Sequence, residues 1–267
     1  MSIISWIERE KTCSARDIDV LADLAQVLRV PPAVLGLAPD QRRILDPVDR
    51  RDVLGGAVAL AVSALLPQGV ATAGRIDMAQ VEQCWTALNR LFELDGLHGG
   101  GPVYELAAGM ARRLQDALAR GSYSPSVGEE LHSVTAAAME HAAWSAYDAG
   151  WQQRARQGWL ETCHHADLAD APGARVTALA SMALQAERPG NGPEVVALAQ
   201  AARTSAKDQA TPTLLSLLAA REAIGHALHG DRAAAVSSVA EARRWLDHGR
   251  AGDEPFWLDF WGPADLA

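Results

Sequence analysis

The chain has 267 residues, enough for one or two domains with a buried core. Hydrophobic residues make up 49% but aromatics only 5%, and 52 alanines supply much of the apolar content. That balance favours helix and excludes a sheet-rich fold, since strands draw on β-branched and aromatic side chains, while a net charge of −9 excludes broad, non-specific nucleic-acid binding by the whole chain.

The three cysteines (Cys13, Cys84, Cys163) are sparse and odd in number, which fits a reducing, cytoplasmic setting better than a disulfide framework. No apolar run reaches the roughly 20 residues of a membrane span. The opening stretch Met1 to Trp6 has no basic region and no apolar core, so it reads as no ordinary export signal.

The first elements are short helices. Ile3, Ile4 and Ile7 suggest a helix from about residue 2 to Glu10. Ile18, Leu21, Leu24, Ala25 and Leu28 then fall on one helical face, with Ser14 as N-cap and Pro31-Pro32 as the stop.

The run Ile4-Ser5-Trp6-Ile7-Glu8-Arg9, followed by LADLAQVLRVPPAVLGL from Leu21 to Leu37, resembles part of a Cro/phage-repressor-like (XRE) helix-turn-helix domain. The resemblance covers about forty residues and implies a partial DNA-binding segment over 1–40. In it, Ile4 and Ile7 form the buried side of the recognition helix. The resemblance places Ser2, Ser5, Trp6, Arg9 and Lys11 at the DNA. Glu10 stands where the family carries glycine, and the family's first two helices have no counterpart. Residues 1 to 52 hold eight basic and nine acidic side chains, a weak electrostatic footprint for a DNA binder.

Residues 41–76 read as a linker containing an Arg-Arg-apolar helix. Arg50-Arg51, the stretch GGAVALAVSALLP and Ala71-Thr72-Ala73 also resemble a twin-arginine export signal. Against export, the arginine pair sits fifty residues in and lacks the usual polar-then-Phe pattern. As a core helix, the same stretch takes Asp49 as its cap and packs Leu54, Val58, Ala61 and Leu65 inward.

From 77 to 267 the pattern predicts successive helices at 77–95, 101–120, 127–149, 151–169, 173–187, 193–207, 212–229 and 231–247, punctuated by Gly and Pro. Gly150, Gly190 and Gly230 are spaced forty residues apart. On that spacing Ala155, Val195 and Ala235 align, as do Trp159, Ala199 and Val239. The layout predicts antiparallel helical hairpins that approach through small residues, in a stack similar to tetratricopeptide arrays but longer than their usual ~34-residue period. Trp144, Trp151 and Trp159 are expected as packing residues. Such an array presents a concave surface to a peptide, small molecule or protein, and the candidate lining residues are Tyr147, Arg154, Arg221, Glu222 and His226. An array end with nothing over the last hairpin would favour dimerisation or poor solubility.

Catalytic chemistry is not assembled anywhere. Cys163-His164-His165, with Glu161, Asp167 and His141, has metal-ligand types, but no distant pair completes a shared face, so neither a metal nor any other cofactor is expected. Gly99-Gly100-Gly101-Pro102 lacks the Lys-Ser/Thr of a phosphate loop. The expected fold class is therefore all-α, and the expected role is not enzymatic. The order of helix-turn-helix remnant, linker helix and acidic array resembles XRE regulators with a C-terminal tetratricopeptide-like sensing domain. That resemblance implies a transcriptional regulator that binds an operator, is governed by an effector on the array, and often dimerises. It also implies a longer parent, because elements at both ends of the chain would continue. A non-DNA-binding interaction scaffold and an exported helical protein are the rival readings.

Overall fold

Proline and capping side chains start the helices, and left-handed residues stop them. The computed structural model describes Ala25, residues 66–98, 100–252 and 254–266. Nine helices lie among these residues: α1 (Gln68–Ala71), α2 (Met78–His98), α3 (Gly100–Arg120), α4 (Pro125–Asp148), α5 (Gln152–Leu168), α6 (Pro172–Glu187), α7 (Gly192–Ala206), α8 (Pro212–Leu228) and α9 (Arg232–Asp247). Short 3-10 turns follow at Lys207–Gln209, Phe256–Leu258 and Pro263–Leu266. The only pairing of β type among the described residues is one isolated bridge, Arg75 to Ser122, so the described residues are all-helical. The expected helices over 2–10 and 14–30, and the Asp49-capped helix, lie outside them, apart from Ala25, which is helical and buried.

The starts follow local chemistry. Asp77 and Gln80 form a reciprocal capping box at α2, each backbone N–H donating to the other's side-chain oxygen at 3.1 and 3.0 Å. Ser124 and Thr211 cap α4 and α8, each followed by proline in the first turn, where the missing N–H costs nothing. Asp231 Oδ1 accepts the Ala234 N–H at 3.0 Å to cap α9.

Contacts divide the chain into two compact units, with the boundary at Ala171 and Pro172. The expected array over 77–267 spans both. In the first unit, α4 packs against α3 and α5, and α2 packs against both α3 and α4. Its core holds Leu88, Leu91, Leu106, Met110, Leu114 and Leu131, with many alanines between the helices. In the second unit, α6 packs on α7, α7 on α8 and α8 on α9.

The three expected hairpins, α4–α5, α6–α7 and α8–α9, share one turn. Gly150, Gly190 and Gly230 have φ of 79°, 76° and 85°. Their N–H groups donate to the carbonyls of Tyr147, Glu187 and Ala227. The following N–H groups, of Trp151, Asn191 and Asp231, donate to Ala146, Ala186 and His226. This is the Schellman closure, and the glycine supplies the left-handed residue it needs. Ala155, Trp159, Val195 and Ala199 are fully buried, as the forty-residue alignment implied. Ala235 and Val239 are half-buried.

No atom lies within 4 Å of a Cβ built on any of these three glycines. Alanine at each should therefore cost only the left-handed strain, about 1 kcal/mol. Urea unfolding of the three single variants should give the same loss at each turn. Gly225 differs, since its Cβ would meet Val196 Cγ2 at 2.7 Å and the Gly192 carbonyl oxygen at 2.9 Å. Alanine there should cost more than at any turn, because the α7 and α8 backbones would have to part.

The last hairpin is not bare, contrary to the sequence expectation. Trp261 and Leu266 pack on Ala219, Ala220 and Ala242, and Trp261 Nε1–H donates to Ser216 Oγ at 3.0 Å. Glu254 Oε1 accepts the Thr213 N–H at 3.1 Å, and its Oε2 accepts the Thr211 hydroxyl at 2.6 Å. Burial pushes the Glu254 carboxyl up, but these hydrogen bonds outweigh it and hold the group below its ordinary pKa. The C-terminal stretch therefore anchors the start of α8 and covers part of the α8–α9 pair. Val236, 63% exposed on α9, stays outside that cover.

Candidate functional site

The five expected lining residues fall into different environments. Tyr147 is buried inside the first unit, not displayed. Its ring lies 5.6 Å from Trp144 and 5.8 Å from Trp159, in a cluster that closes α4 onto α5. Trp159 is fully buried, and its indole N–H has no hydrogen-bond partner. Tyr147 and Trp159 are therefore core side chains of the hairpin.

Arg154 is exposed in the first turn of α5. Its guanidinium carbon stands 5.0 Å from the Trp151 ring centre and 5.5 Å from that of Tyr104. Tyr104, on α3, meets Trp151 edge-on at 5.1 Å and 83°. Trp151 follows the left-handed Gly150 and is 40% exposed, so it is only in part the packing residue the sequence suggested. Trp151, Gln152, Gln153 and Arg154 border an open hollow of about 470 Å³.

Arg221 and Glu222 sit in the second unit within ion pairs that sequence reading missed. Arg221 Nη1 donates to Glu187 Oε1 at 2.6 Å, tying α8 to α6. Burial raises the Glu187 pKa, opposed by the Arg221 charge. Glu222 lies 3.2 Å from Arg203 Nη2, and Arg203 Nη1 donates to Glu241 Oε1 at 2.6 Å. Trp245 Nε1–H donates to the same Glu241 oxygen at 3.3 Å. One arginine on α7 thus bridges carboxylates of α8 and α9. His226 is half-buried in the last turn of α8, where its carbonyl closes the Gly230 turn. Ser2, Ser5, Trp6, Arg9 and Lys11, and the Arg50-Arg51 pair, lie outside the described residues.

Two polar clusters lie partly buried in the first unit, with Asp95, His141 and His165 buried and Glu140 and His132 half-buried. Asp95 on α2 is 8% exposed, and its Oδ1 has no hydrogen-bond partner. Burial raises its carboxyl to about 6. Glu140 on α4 is raised to about 7, by burial and then by the Asp95 charge. The neighbouring His141 meets Phe92 with ring centres 4.2 Å apart and the planes tilted by 55°, and burial lowers it to about 4 against a hydrogen bond to the Leu91 backbone. At the α4–α5 contact, His132 Nδ1 and His165 Nδ1 are hydrogen-bonded at 2.8 Å, one ring donating and the other accepting according to tautomer. Burial, then the charges of His132 and His164, lowers His165 to about 4. Of the expected metal-ligand types, His165 is used in this pair, and Glu161 accepts from Gln157 Nε2 at 3.1 Å. Among the described residues no group of three His, Cys, Asp or Glu side chains could hold a metal ion, and no helix is long and apolar enough to cross a membrane. The carboxyl and histidine clusters join residues thirty or more positions apart, and no local motif announces them.

Comparison with protein-family models, curated proteins and solved structures finds no match to this chain.

Proposed function

We propose that this chain is a transcriptional regulator of the XRE type. In this reading its helical hairpins bind an effector, and that binding controls DNA contact by the N-terminal segment. The observation that carries the effector half is the recurrence of one hairpin turn at Gly150, Gly190 and Gly230, forty residues apart. In the second unit the α6–α7 and α8–α9 hairpins pack on one another, and stacked hairpins of this kind suit the binding of an extended partner. The DNA half rests on the resemblance of residues 4–37 to a helix-turn-helix, with Ser2, Ser5, Trp6, Arg9 and Lys11 as the contacts. Arg221 and Glu222 serve the hairpin framework, which leaves Arg154 as the effector candidate most open to solvent.

The test combines a gel shift of the full chain on the region upstream of its own gene with affinity capture of partners. A shift that a captured partner changes supports the regulator. A stable partner with no DNA binding, even when the reading frame is extended upstream, would make the chain an interaction scaffold instead.

A further inference from the structure

We propose that Arg154, held on Trp151 and Tyr104, recognises a carboxylate of a peptide partner, with the aromatic pair receiving an adjoining apolar side chain. This rests on the partner-binding reading of the hairpins and names the chemistry of that partner.

The Gly150 turn brings Trp151 out of the Trp144–Tyr147–Trp159 core, and 40% of its surface faces solvent. Tyr104 supports it edge-on at 5.1 Å. Exposed aromatic area next to arginine is the composition of an interface hot spot. The hollow beside it is shallow and open to solvent, so an adjoining side chain can reach the exposed ring without displacing protein atoms.

Charge decides the ligand class. Arg203 and Arg221 each face carboxylates at 2.6 Å, and Arg120 and Arg250 pair with acids at 3.0 and 3.3 Å. Among the described residues no carboxylate pairs with Arg154, although the chain carries 33 acids against 24 bases. Its contacts are with two rings. Cation–π contact orients the guanidinium while leaving N–H donors free for an acceptor. Two such donors match the two oxygens of a carboxylate. A phosphate dianion is met by clusters of arginines, whereas among the described residues Arg154 is the one cation that borders this hollow. The occupant is therefore an acidic peptide with an aromatic or aliphatic side chain beside the carboxylate.

The experiment titrates the ¹⁵N-labelled full chain with N-acetyl-Phe-Glu-Glu-Phe-amide, its Phe-Gln-Gln-Phe counterpart, and inorganic phosphate. The acidic peptide should shift the Trp151 indole N–H and Arg154 Nε–H signals, and the glutamine peptide should bind at least ~10-fold more weakly. Arg154→Gln, at an exposed site whose change should leave the melting temperature in place, should abolish the preference, and Arg154→Lys should keep part of it. Equal binding of both peptides, wild-type binding by Arg154→Gln, an equal response to phosphate, or no shift at millimolar peptide would each overturn the proposal. If a captured partner binds Arg154→Gln as well as wild type, the regulator reading stands and this site alone fails. Acidic-peptide shifts without DNA binding or partner capture would have the opposite meaning.

Discussion

Glu140→Gln should raise the thermal unfolding midpoint at pH 8 and leave it nearly unchanged at pH 4.5. Glu140 and Asp95 are raised to about 7 and about 6, so the folded chain holds protons that the unfolded chain releases near pH 4. Their contribution is fully present below pH 4 and is lost as pH rises through 7. At pH 8 both carboxyls are charged, with Asp95 buried and its Oδ1 unpartnered. The neutral amide removes one of these charges. A shift of this size corresponds to about 3 kcal/mol of stabilisation at pH 8, reduced to about 2 by the amide's own desolvation. His141 and His165 work in the opposite sense. Both are lowered to about 4, so their contribution is present above about pH 6.5 and is lost as pH falls through 4. The wild-type pH profile sums these opposing slopes, and the difference between wild type and variant isolates the carboxyl. Calorimetric melting from pH 4.5 to 8 should show that difference growing steadily. A difference independent of pH would mean that Glu140 is charged and solvated throughout.

Arg203→Met should be among the most damaging single substitutions in the second unit, at about 3 kcal/mol. Arg203 lies between Glu222, whose side chain is 12% exposed, and Glu241 at 30%. Removing it leaves two partly buried carboxylates sharing a site with no cation between them. Breaking a buried pair from one side costs far more than replacing the whole pair. Glu241 reports the same dependence. Burial pushes it up, but the hydrogen bonds from Arg203 and Trp245 and the charges of Arg203 and Arg244 pull it below its ordinary value. The triple variant Arg203→Met with Glu222→Gln and Glu241→Gln should recover much of the loss. Urea unfolding of the single and triple variants measures both. A single-variant cost below about 1 kcal/mol would place the bridge among ordinary solvent-screened pairs.

The helices were legible because their punctuation is local. Gly150, Gly190 and Gly230 stop helices through backbone geometry, and Pro125, Pro172 and Pro212 start them. The forty-residue spacing carried over directly into three equivalent turns. Which faces are buried was much less legible. In α4, alanine fills several sides, and the buried set runs over much of the helix, from Val127 to Tyr147. Periodicity therefore could not place Tyr147 in the core or Trp151 at its edge. Arg221 and Glu222 looked available in sequence because Glu187 and Arg203, their partners, lie 34 and 19 positions away. The charge interaction between Asp95 and Glu140 crosses 45 residues, and its chemistry comes from burial that composition does not report. Arg154 could be named from its place after the Gly150 turn, but the Tyr104 beneath it belongs to another helix.

The most direct test of the regulator reading is a gel shift of the full chain on its own upstream region, with Arg9→Ala/Lys11→Ala as the DNA-contact variant and a captured partner as effector. A transcriptional regulator gives a specific shift that the double variant weakens and that the partner alters. No shift, in this chain or in one extended upstream in frame, together with stable partner binding would contradict it.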